Sequence, residues 1–212
     1  MSPSGKSVIT IVDYGTSNLG SMQNMLKKIG ATSTIASSPN DLEGASKIIV
    51  PGVGSFDAGM GKLLSSGMIP TLNHKALIEK VPMLGVCLGM QLMTASSEEG
   101  TARGLGWIEA QTIRFDQQRE PGLKVPHMGW NEVIKAKFCP LTSNFPADAR
   151  FYFAHSYHVI CKAAEDVLLR VSYGAANYTA AFQRDNLYGA QFHPEKSHRF
   201  GMTFLRNFVE QC

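Results

Sequence analysis

The sequence predicts an α/β domain in which a largely parallel sheet is covered by helices on both faces. In the first half of the chain, short β-branched runs alternate with segments whose apolar residues repeat at helical spacing. After about residue 105, short strand-like segments follow one another with only turn residues between them. That change predicts an antiparallel or mixed sheet added to the first half. The 212 residues are expected to form one domain, residues 1–212, with a proper hydrophobic core.

The elements of the first half are marked by capping and turn residues. Ser7–Val12 is a β-branched run that predicts a strand and ends at a turn. Asn18 can cap the helix that follows, and Gly30 is placed to terminate it. The apolar stripe of that helix comprises Leu19, Met22, Leu26 and Ile29. Further strands are predicted at Ala31–Ala36, Lys47–Val50 and Val81–Val86, and helices near Asp57–Ser65 and Thr71–Glu79.

The second half is predicted to contain short strands and one closing helix. Leu187–Phe192 is a strand that leads directly to His193. The closing helix has a stripe formed by Phe200, Phe204, Leu205, Phe208 and Val209. The other predicted strands are Trp107–Phe115, Trp130–Lys135, Arg150–Ala154, Tyr157–Cys161, Val167–Ser172 and Tyr178–Arg184.

The composition is that of an ordinary globular protein, with 44% hydrophobic and 17% charged residues. A formal charge of +3 without a dense Lys/Arg run does not support nucleic-acid binding. The apolar stretches are shorter than a membrane span, and the polar start lacks the core of a signal peptide. The cysteines are dispersed without a CxxC pair, so reduced thiols and a cytoplasmic location are expected. They are Cys87, Cys139, Cys161 and Cys212.

Cys87 ends an apolar run, and Gly85 and Gly89 lie two residues away on either side. A strand, a glycine-framed turn and a helix-forming stretch are typical of an elbow that presents a nucleophile. The positive end of the helix would favour the thiolate, and the Leu88 N–H could donate to an oxyanion. A free cysteine is more often a small buried hydrophobic residue, so the glycine frame is what favours the catalytic interpretation.

His193 and Glu195 are two residues apart, and on an extended segment their side chains would point the same way. Glu195 could then bind one imidazole nitrogen while the other faces a thiol. An isolated pair of this kind is more commonly a solvated surface pair. A metal site is a weaker alternative, because His155 and His158, three apart on a predicted strand, would face opposite sides. The sequence therefore predicts no metal site and no cofactor.

The loop Pro51–Phe56 follows a predicted strand and contains two glycines. It lies at the edge where open α/β sheets place their sites, so the N–H of Val53 or Gly54 could be a second oxyanion donor. Taken alone, the loop is better interpreted as a plain strand-to-helix turn. It matches neither phosphate-binding glycine motif.

The stretch Gly85–Gln91, together with Gln191–Glu195, resembles the class I (triad) glutamine amidotransferases. Further stretches resemble the glutaminase subunits of imidazole glycerol phosphate synthase within that family. They are Asp13–Gly15 with Asn18-Leu19, Pro51–Phe56, Val125–Asn131, Tyr152–Tyr157 and Lys196-Ser197. The chain departs from the family pattern at Ser17, Met93 and His198–Phe200.

The resemblance implies a flavodoxin-like three-layer fold with an open, mostly parallel sheet and an added antiparallel portion. It also implies that Cys87 attacks glutamine to form a thioester, His193 moves the protons and Glu195 orients His193. The oxyanion hole would comprise Gly52, Val53 and Leu88, with the loop oriented by the active complex. The glutamine would be held by Gln91, Glu99, Ser156 and Tyr157.

The resemblance further implies a heterodimer with a (βα)8-barrel cyclase. Ammonia would pass to the cyclase, which makes imidazole glycerol phosphate and aminoimidazole carboxamide ribonucleotide in histidine biosynthesis. A barrel of about 250 residues does not fit in this chain, so the cyclase is expected to be a separate chain. Interface positions would be Asn18, Trp130, Tyr152 and Lys196, although Asn18 could be only a helix cap and the two aromatic residues could belong to the core. Alternatives are a glutaminase subunit for another ammonia-using synthase and a ligand-binding relative without activity.

Overall fold

Twelve strands of the computed structural model, which describes residues 8–16 and 18–212, join in one sheet. In chain order they are β1 (Ile9–Val12), β2 (Ser33–Ala36), β3 (Ile48–Gly52), β4 (Met83–Cys87), β5 (Ser96–Ser97), β6 (Ala110–Arg114), β7 (His127–Lys135), β8 (Arg150–His155), β9 (Tyr157–Cys161), β10 (Val167–Tyr173), β11 (Ala176–Arg184) and β12 (Leu187–Ala190). The helices are α1 (Leu19–Lys28), α2 (Phe56–Ser65), α3 (Ile69–Asn73), α4 (Leu88–Leu92) and α5 (His198–Gln211).

The first part of the sheet is parallel and has the order β2-β1-β3-β4-β12. This is the 2-1-3-4-5 order of flavodoxin-like sheets, with β12 in the fifth place. From β12 the sheet continues through antiparallel partners, β11, β10, β7 and β8. The antiparallel addition that follows residue 105 is thus confirmed. The parallel edge brings the ends of β3 and β4 together, since Gly52 pairs with Cys87.

Two hydrophobic clusters cover the opposite faces of the parallel strands, which gives three layers. On one face, Ile9 and Ile11 pack with the apolar stripes of α1 and α5. On the other, Val12 and Val50 pack with α2, α3 and α4. The alternation along β1 follows from the strand period of two. No helix in the described residues combines the length and apolar character that crossing a bilayer requires.

The predicted capping of α1 is confirmed. The Asn18 side chain accepts from the Ser21 N–H at 3.3 Å, and Gly30 adopts φ +81° just beyond the helix. Ser7, predicted to begin the first strand, and Ser17 lie outside the described residues.

Three predicted boundaries were wrong. The predicted strand Trp107–Phe115 is only Ala110–Arg114, because the Trp107 ring nitrogen donates to the Asn73 side chain at 2.7 Å. The predicted helix Thr71–Glu79 begins earlier as α3 and continues as a π-helical turn, His74–Ile78. The predicted strand Leu187–Phe192 ends at Ala190, so the chain reaches His193 through irregular backbone.

Candidate active site

The Cys87 elbow is built by close approaches of backbone to backbone. Cys87 ends β4 with φ +54°, a conformation that costs a non-glycine residue about 1–3 kcal/mol and that clusters at functional sites. A Cβ on Gly85 would lie 2.7 Å from the Gly89 carbonyl, and a Cβ on Gly89 would overlap the Val50 carbonyl oxygen. Glycine is therefore required at both positions. The helix that follows is only five residues long, and Leu88 is its first residue, so its amide has no partner within the helix.

His193 and Glu195 meet in a single turn of 3-10 helix, Pro194–Lys196, and not on the extended segment predicted from their spacing. The His193 Nδ1 lies 2.8 Å from Glu195 Oε1, and both side chains are buried. Burial disfavours the imidazolium, but hydrogen bonding to Cys87 and Glu195 outweighs it and raises the pKa of His193 to about 9. The ring is thus poised to hold a proton between a thiol and a carboxylate.

Strand β8 holds the His193 segment in place. The His193 N–H donates to the Tyr152 carbonyl at 2.9 Å. The Ser197 hydroxyl donates to the His193 carbonyl at 2.6 Å and accepts from the Tyr152 N–H at 3.0 Å. The His193 backbone and the Ser197 hydroxyl are therefore both hydrogen-bonded to β8, in the antiparallel part of the sheet.

One cavity of about 310 Å³ brings most of the predicted site residues together. Its lining includes Cys87 and His193, which were predicted to be catalytic, and the predicted substrate-binding positions. The predicted residues that line it are Val53, Cys87, Leu88, Gln91, Glu99, Ser156, Tyr157, His193 and Lys196. Those outside its lining are Gly52, Glu195, Asn18, Trp130 and Tyr152.

Glu99 is anchored at the start of α2. Its Oε2 accepts from the Phe56 N–H at 2.8 Å, which places a carboxylate at the positive end of that helix. The same side chain lines the cavity, so an ammonium group bound there would meet a negative charge.

Gln191 lies beside Cys87, although no role was predicted for it from the sequence. Its side chain is fully buried, and its Nε2 lies 3.8 Å from Cys87 Sγ. Its Oε1 accepts from Gln91 Nε2 at 3.0 Å, and the same Gln91 nitrogen donates to the Tyr157 carbonyl at 3.1 Å. This amide chain links the thiol to the far wall of the cavity. The sequence feature that could have indicated this role is that Gln191 belongs to the same motif as His193.

A pair of neutral histidines supports the same wall. His155 Nδ1 donates to the Tyr157 carbonyl at 2.7 Å, which leaves its Nε2 to accept from His127 Nδ1 at 3.0 Å. Burial lowers the pKa of His155 to about 3 and also lowers that of His127. The prediction that His155 and His158 share one strand was wrong: they lie on β8 and β9, and both rings contact Phe115.

The N–H of the Gly52–Val53 peptide is hydrogen-bonded to the neighbouring Tyr14–Thr16 segment. The Val53 N–H donates to the Thr16 carbonyl at 2.7 Å. Gly52 itself is tightly enclosed, since a Cβ there would overlap the Tyr14 hydroxyl and lie 3.1 Å from Leu88 Cβ. In this conformation, Val53 donates to a neighbouring loop and not to the cavity.

Three of the four predicted interface residues lie together near the cavity mouth. The Trp130 and Tyr152 ring centroids are 6.2 Å apart, and Lys196 Nζ lies 5.9 Å from the Tyr152 ring centroid. Trp130 is 41% exposed, so it does not belong to the core. Asn18 caps α1 and has no described contact with the other three residues.

In the part of the chain that the structure describes, the other cysteines differ from Cys87 and lie outside the lining of its cavity. The remaining cysteines are free thiols whose pKa is raised by burial, to about 12 for Cys161 and about 11 for Cys212. Among residues 8–16 and 18–212, no group of three or more His, Cys, Asp or Glu side chains is arranged to hold a metal ion.

The sequence and the fold match known proteins over almost their whole length. The model of the class-I glutamine amidotransferase family matches residues 10–212. The chain is 48% identical to the imidazole glycerol phosphate synthase subunit HisH 2 of Pseudomonas aeruginosa, covering 96% of this chain and 99% of the relative. It is also 48% identical to HisH 2 of Methanococcus maripaludis, covering 97% and 100%. The structure of PurLQS from Thermotoga maritima shares the fold at TM-score 0.74 and 18% identity, covering 97% and 98%. The chain belongs to the class-I glutamine amidotransferase family and, within it, to the HisH subunits of imidazole glycerol phosphate synthase.

Proposed function

We propose that this chain hydrolyses glutamine to glutamate and ammonia, with Cys87 as nucleophile, His193 as proton carrier and Glu195 as its orienting group. The observation that carries the proposal is the buried His193–Glu195 pair, whose Nδ1 and Oε1 atoms are 2.8 Å apart, at a cavity that His193 and Cys87 both line. Cys, His and a carboxylate are the set that a thiol nucleophile needs. Membership of the glutamine amidotransferase family supports glutamine as the substrate.

The proposed reaction proceeds through a thioester. His193 holds the proton that it has taken from the Cys87 thiol, and the sulfur attacks the side-chain amide carbon of glutamine. His193 then donates that proton to the departing nitrogen, which leaves as ammonia. His193 next removes a proton from water, and the water oxygen attacks the thioester carbon. The C–S bond then breaks as His193 returns the proton to the sulfur, which gives glutamate and the Cys87 thiol. Because Glu195 accepts from Nδ1, the Nε2 atom is the one that exchanges protons.

The substrate would be held by groups already positioned in the cavity. We propose that Glu99 binds the glutamine ammonium, and that Gln91 and the backbone of Ser156 and Tyr157 bind the rest of the amino acid. The support is that all four line the cavity with Cys87. The amide chain through Gln191 and the histidine pair hold the Tyr157 carbonyl from two sides.

The oxyanion hole is proposed to comprise the Leu88 N–H and the Gly52–Val53 peptide. Leu88 follows the nucleophile at the start of α4, the position that oxyanion donors occupy at strand-to-helix elbows. The Val53 N–H is bonded to Thr16, so this peptide must rotate before it can donate to the substrate. Turnover is therefore expected to be slow until a partner or substrate stabilises the rotated peptide.

We further propose that the ammonia passes to a separate (βα)8-barrel cyclase, which makes imidazole glycerol phosphate and aminoimidazole carboxamide ribonucleotide. The names of the relatives as subunits of one synthase support a partner subunit. The exposed Trp130, with Tyr152 and Lys196 near the cavity mouth, supports docking there, and we include Asn18 in the same interface. We also propose that the whole chain forms one domain and that it is located in the cytoplasm. We expect it to bind neither nucleic acid nor membrane.

The test measures glutamate release by the chain with its cyclase and the cyclase nucleotide, for the wild type and for Cys87→Ala. We expect release from the wild type only, and more release with the cyclase and nucleotide than without them. Equal release from both forms would contradict the assignment of Cys87. A pull-down that recovers a different ammonia-using synthase would favour the alternative partner. Loss of activity on addition of a chelator would favour a metal-dependent mechanism.

A further inference from the structure

Among residues 8–16 and 18–212, the buried hydroxyl group of Tyr14 has no hydrogen-bond partner of acceptable geometry, and the residue is only 5% exposed. The Thr16 hydroxyl, equally buried and without such a partner, lies close enough to lower the pKa of Tyr14 against the larger effect of burial. Such a hydroxyl has lost its bonds to water and gained none in return, so it destabilises the conformation that contains it. Burial also raises the pKa of Tyr14, so the phenol keeps a proton that it can donate. Buried polar groups of this kind require a specific explanation.

The Tyr14 hydroxyl lies against the peptide at the end of β3. A methyl group built on the α-carbon of Gly52 would overlap the Tyr14 oxygen, and it would lie 3.2 Å from the Gly89 nitrogen. The hydroxyl is therefore close to Gly52 and to the elbow that carries Cys87. Tyr14 also belongs to the segment whose Thr16 carbonyl accepts from the Val53 N–H.

Rotation of the Gly52–Val53 peptide would give the Tyr14 hydroxyl an acceptor. In a planar trans peptide the carbonyl points opposite to the N–H, so the Gly52 carbonyl now points away from Thr16. If Val53 turns its N–H toward a substrate on Cys87, the Gly52 carbonyl must turn toward the Tyr14–Thr16 segment. There it would approach the Thr16 carbonyl oxygen. Both carbonyl oxygens are hydrogen-bond acceptors, so a donor must lie beside them to satisfy them.

We propose that Tyr14 is a positioning residue, whose hydroxyl donates to the Gly52 carbonyl when the Gly52–Val53 peptide is rotated for catalysis. The inference rests on the proposed glutaminase function. It explains why a buried hydroxyl with no well-placed partner in the described part of the chain is kept in the resting conformation. Tyr14 acts on the peptide and not on the substrate, so its loss would lower the population of the active conformation.

The test is Tyr14→Phe, with Tyr178→Phe as a matched control on β11. We expect Tyr14→Phe to lower the kcat for glutamine by about tenfold, with little change in KM, since an oxyanion donor acts mainly in the transition state. A γ-aldehyde analogue of glutamine, whose adduct with Cys87 places an oxyanion in the same hole, should bind more weakly by a similar factor. The melting temperature should stay the same or rise, because the resting conformation loses an unsatisfied hydroxyl. Tyr178→Phe should leave kcat and aldehyde affinity unchanged.

The outcomes separate this inference from the proposed function. Wild-type turnover that disappears in Cys87→Ala supports the glutaminase function whatever Tyr14 does. With that result, wild-type kcat and aldehyde affinity in Tyr14→Phe would overturn the role of Tyr14. A lower melting temperature with a proportional rise in KM would show a merely structural role and would also overturn it. No turnover from the wild-type complex would overturn both proposals.

Discussion

The Nδ1 atom of His193 lies 2.8 Å from Oε1 of Glu195, and both side chains are shielded from water. Burial disfavours the imidazolium, but the influence of Cys87 and this contact with Glu195 together raise the pKa of His193 to about 9. An imidazolium is therefore more stable in the folded chain than in the unfolded one, where its pKa is about 6.5. That difference makes the contribution of the pair to stability depend on pH.

Glu195→Gln is expected to destabilise the chain most at pH 6. The stability that comes from the raised pKa is fully present below about pH 6.5 and is lost as the pH rises through about 9. The wild type should exceed Glu195→Gln by about 1–3 kcal/mol in free energy of unfolding at pH 6, and by less at pH 9.5. Urea unfolding at both pH values measures this, with Glu210→Gln on the exposed face of α5 as control. A difference that grew with pH would contradict the ion pair.

A diazoketone analogue of glutamine is expected to label Cys87 alone at pH 7.5. Cys87 lines the cavity with His193, whereas burial raises the pKa of the other thiols and keeps them protonated. Mass mapping should find one label per chain, and excess glutamine should slow its attachment. Comparable labelling of Cys139, Cys161 or Cys212 would contradict a distinct reactive thiol.

Gly89→Ala is expected to disrupt the elbow. The added methyl would overlap the Val50 carbonyl oxygen, which belongs to β3 and cannot move without disturbing the sheet. We expect a loss of about 3 kcal/mol or more in stability, together with loss of activity. Gly61→Ala is the matched control: no atom lies within 4 Å of its added methyl, and it should stabilise α2 by about 0.5–1 kcal/mol. Similar melting temperatures for the two variants would disprove the packing argument.

Gln191→Met is expected to impair the site although Gln191 is not a member of the predicted triad. Methionine has a similar volume but removes both the contact with Cys87 Sγ and the acceptor for Gln91. We expect kcat/KM for glutamine to fall by about tenfold and stability to fall by about 1–3 kcal/mol. Steady-state kinetics and urea unfolding measure the two effects. Gln183→Met, on β11, serves as control, and unchanged kinetics in Gln191→Met would show that the amide chain is dispensable.

Much of the parallel sheet could be predicted because its signals are local. β-Branched runs, helical spacing and terminal glycines each act within one element, so the first strands and α1 lie close to their predicted places. The errors occur where a distant group competes with the local pattern. Trp107 is held by Asn73 and leaves the strand that its own sequence favours.

The amino-acid sequence by itself determined the order of the elements, the glycine-framed Cys87 elbow and the His193–Glu195 pair. Each of these depends on residues only a few positions apart, although the His193–Glu195 pair meets in a 3-10 turn and not on the extended segment that its spacing predicted. Only the tertiary structure decided that Gln191 contacts Cys87, that His127 supports His155, and that Val53 is bonded to Thr16. The partners in these contacts are distant in sequence, and they meet because of the order in which the strands join the sheet. Hydrogen bonds between such partners depend on positions of a few tenths of an ångström, which packing sets and local sequence does not encode.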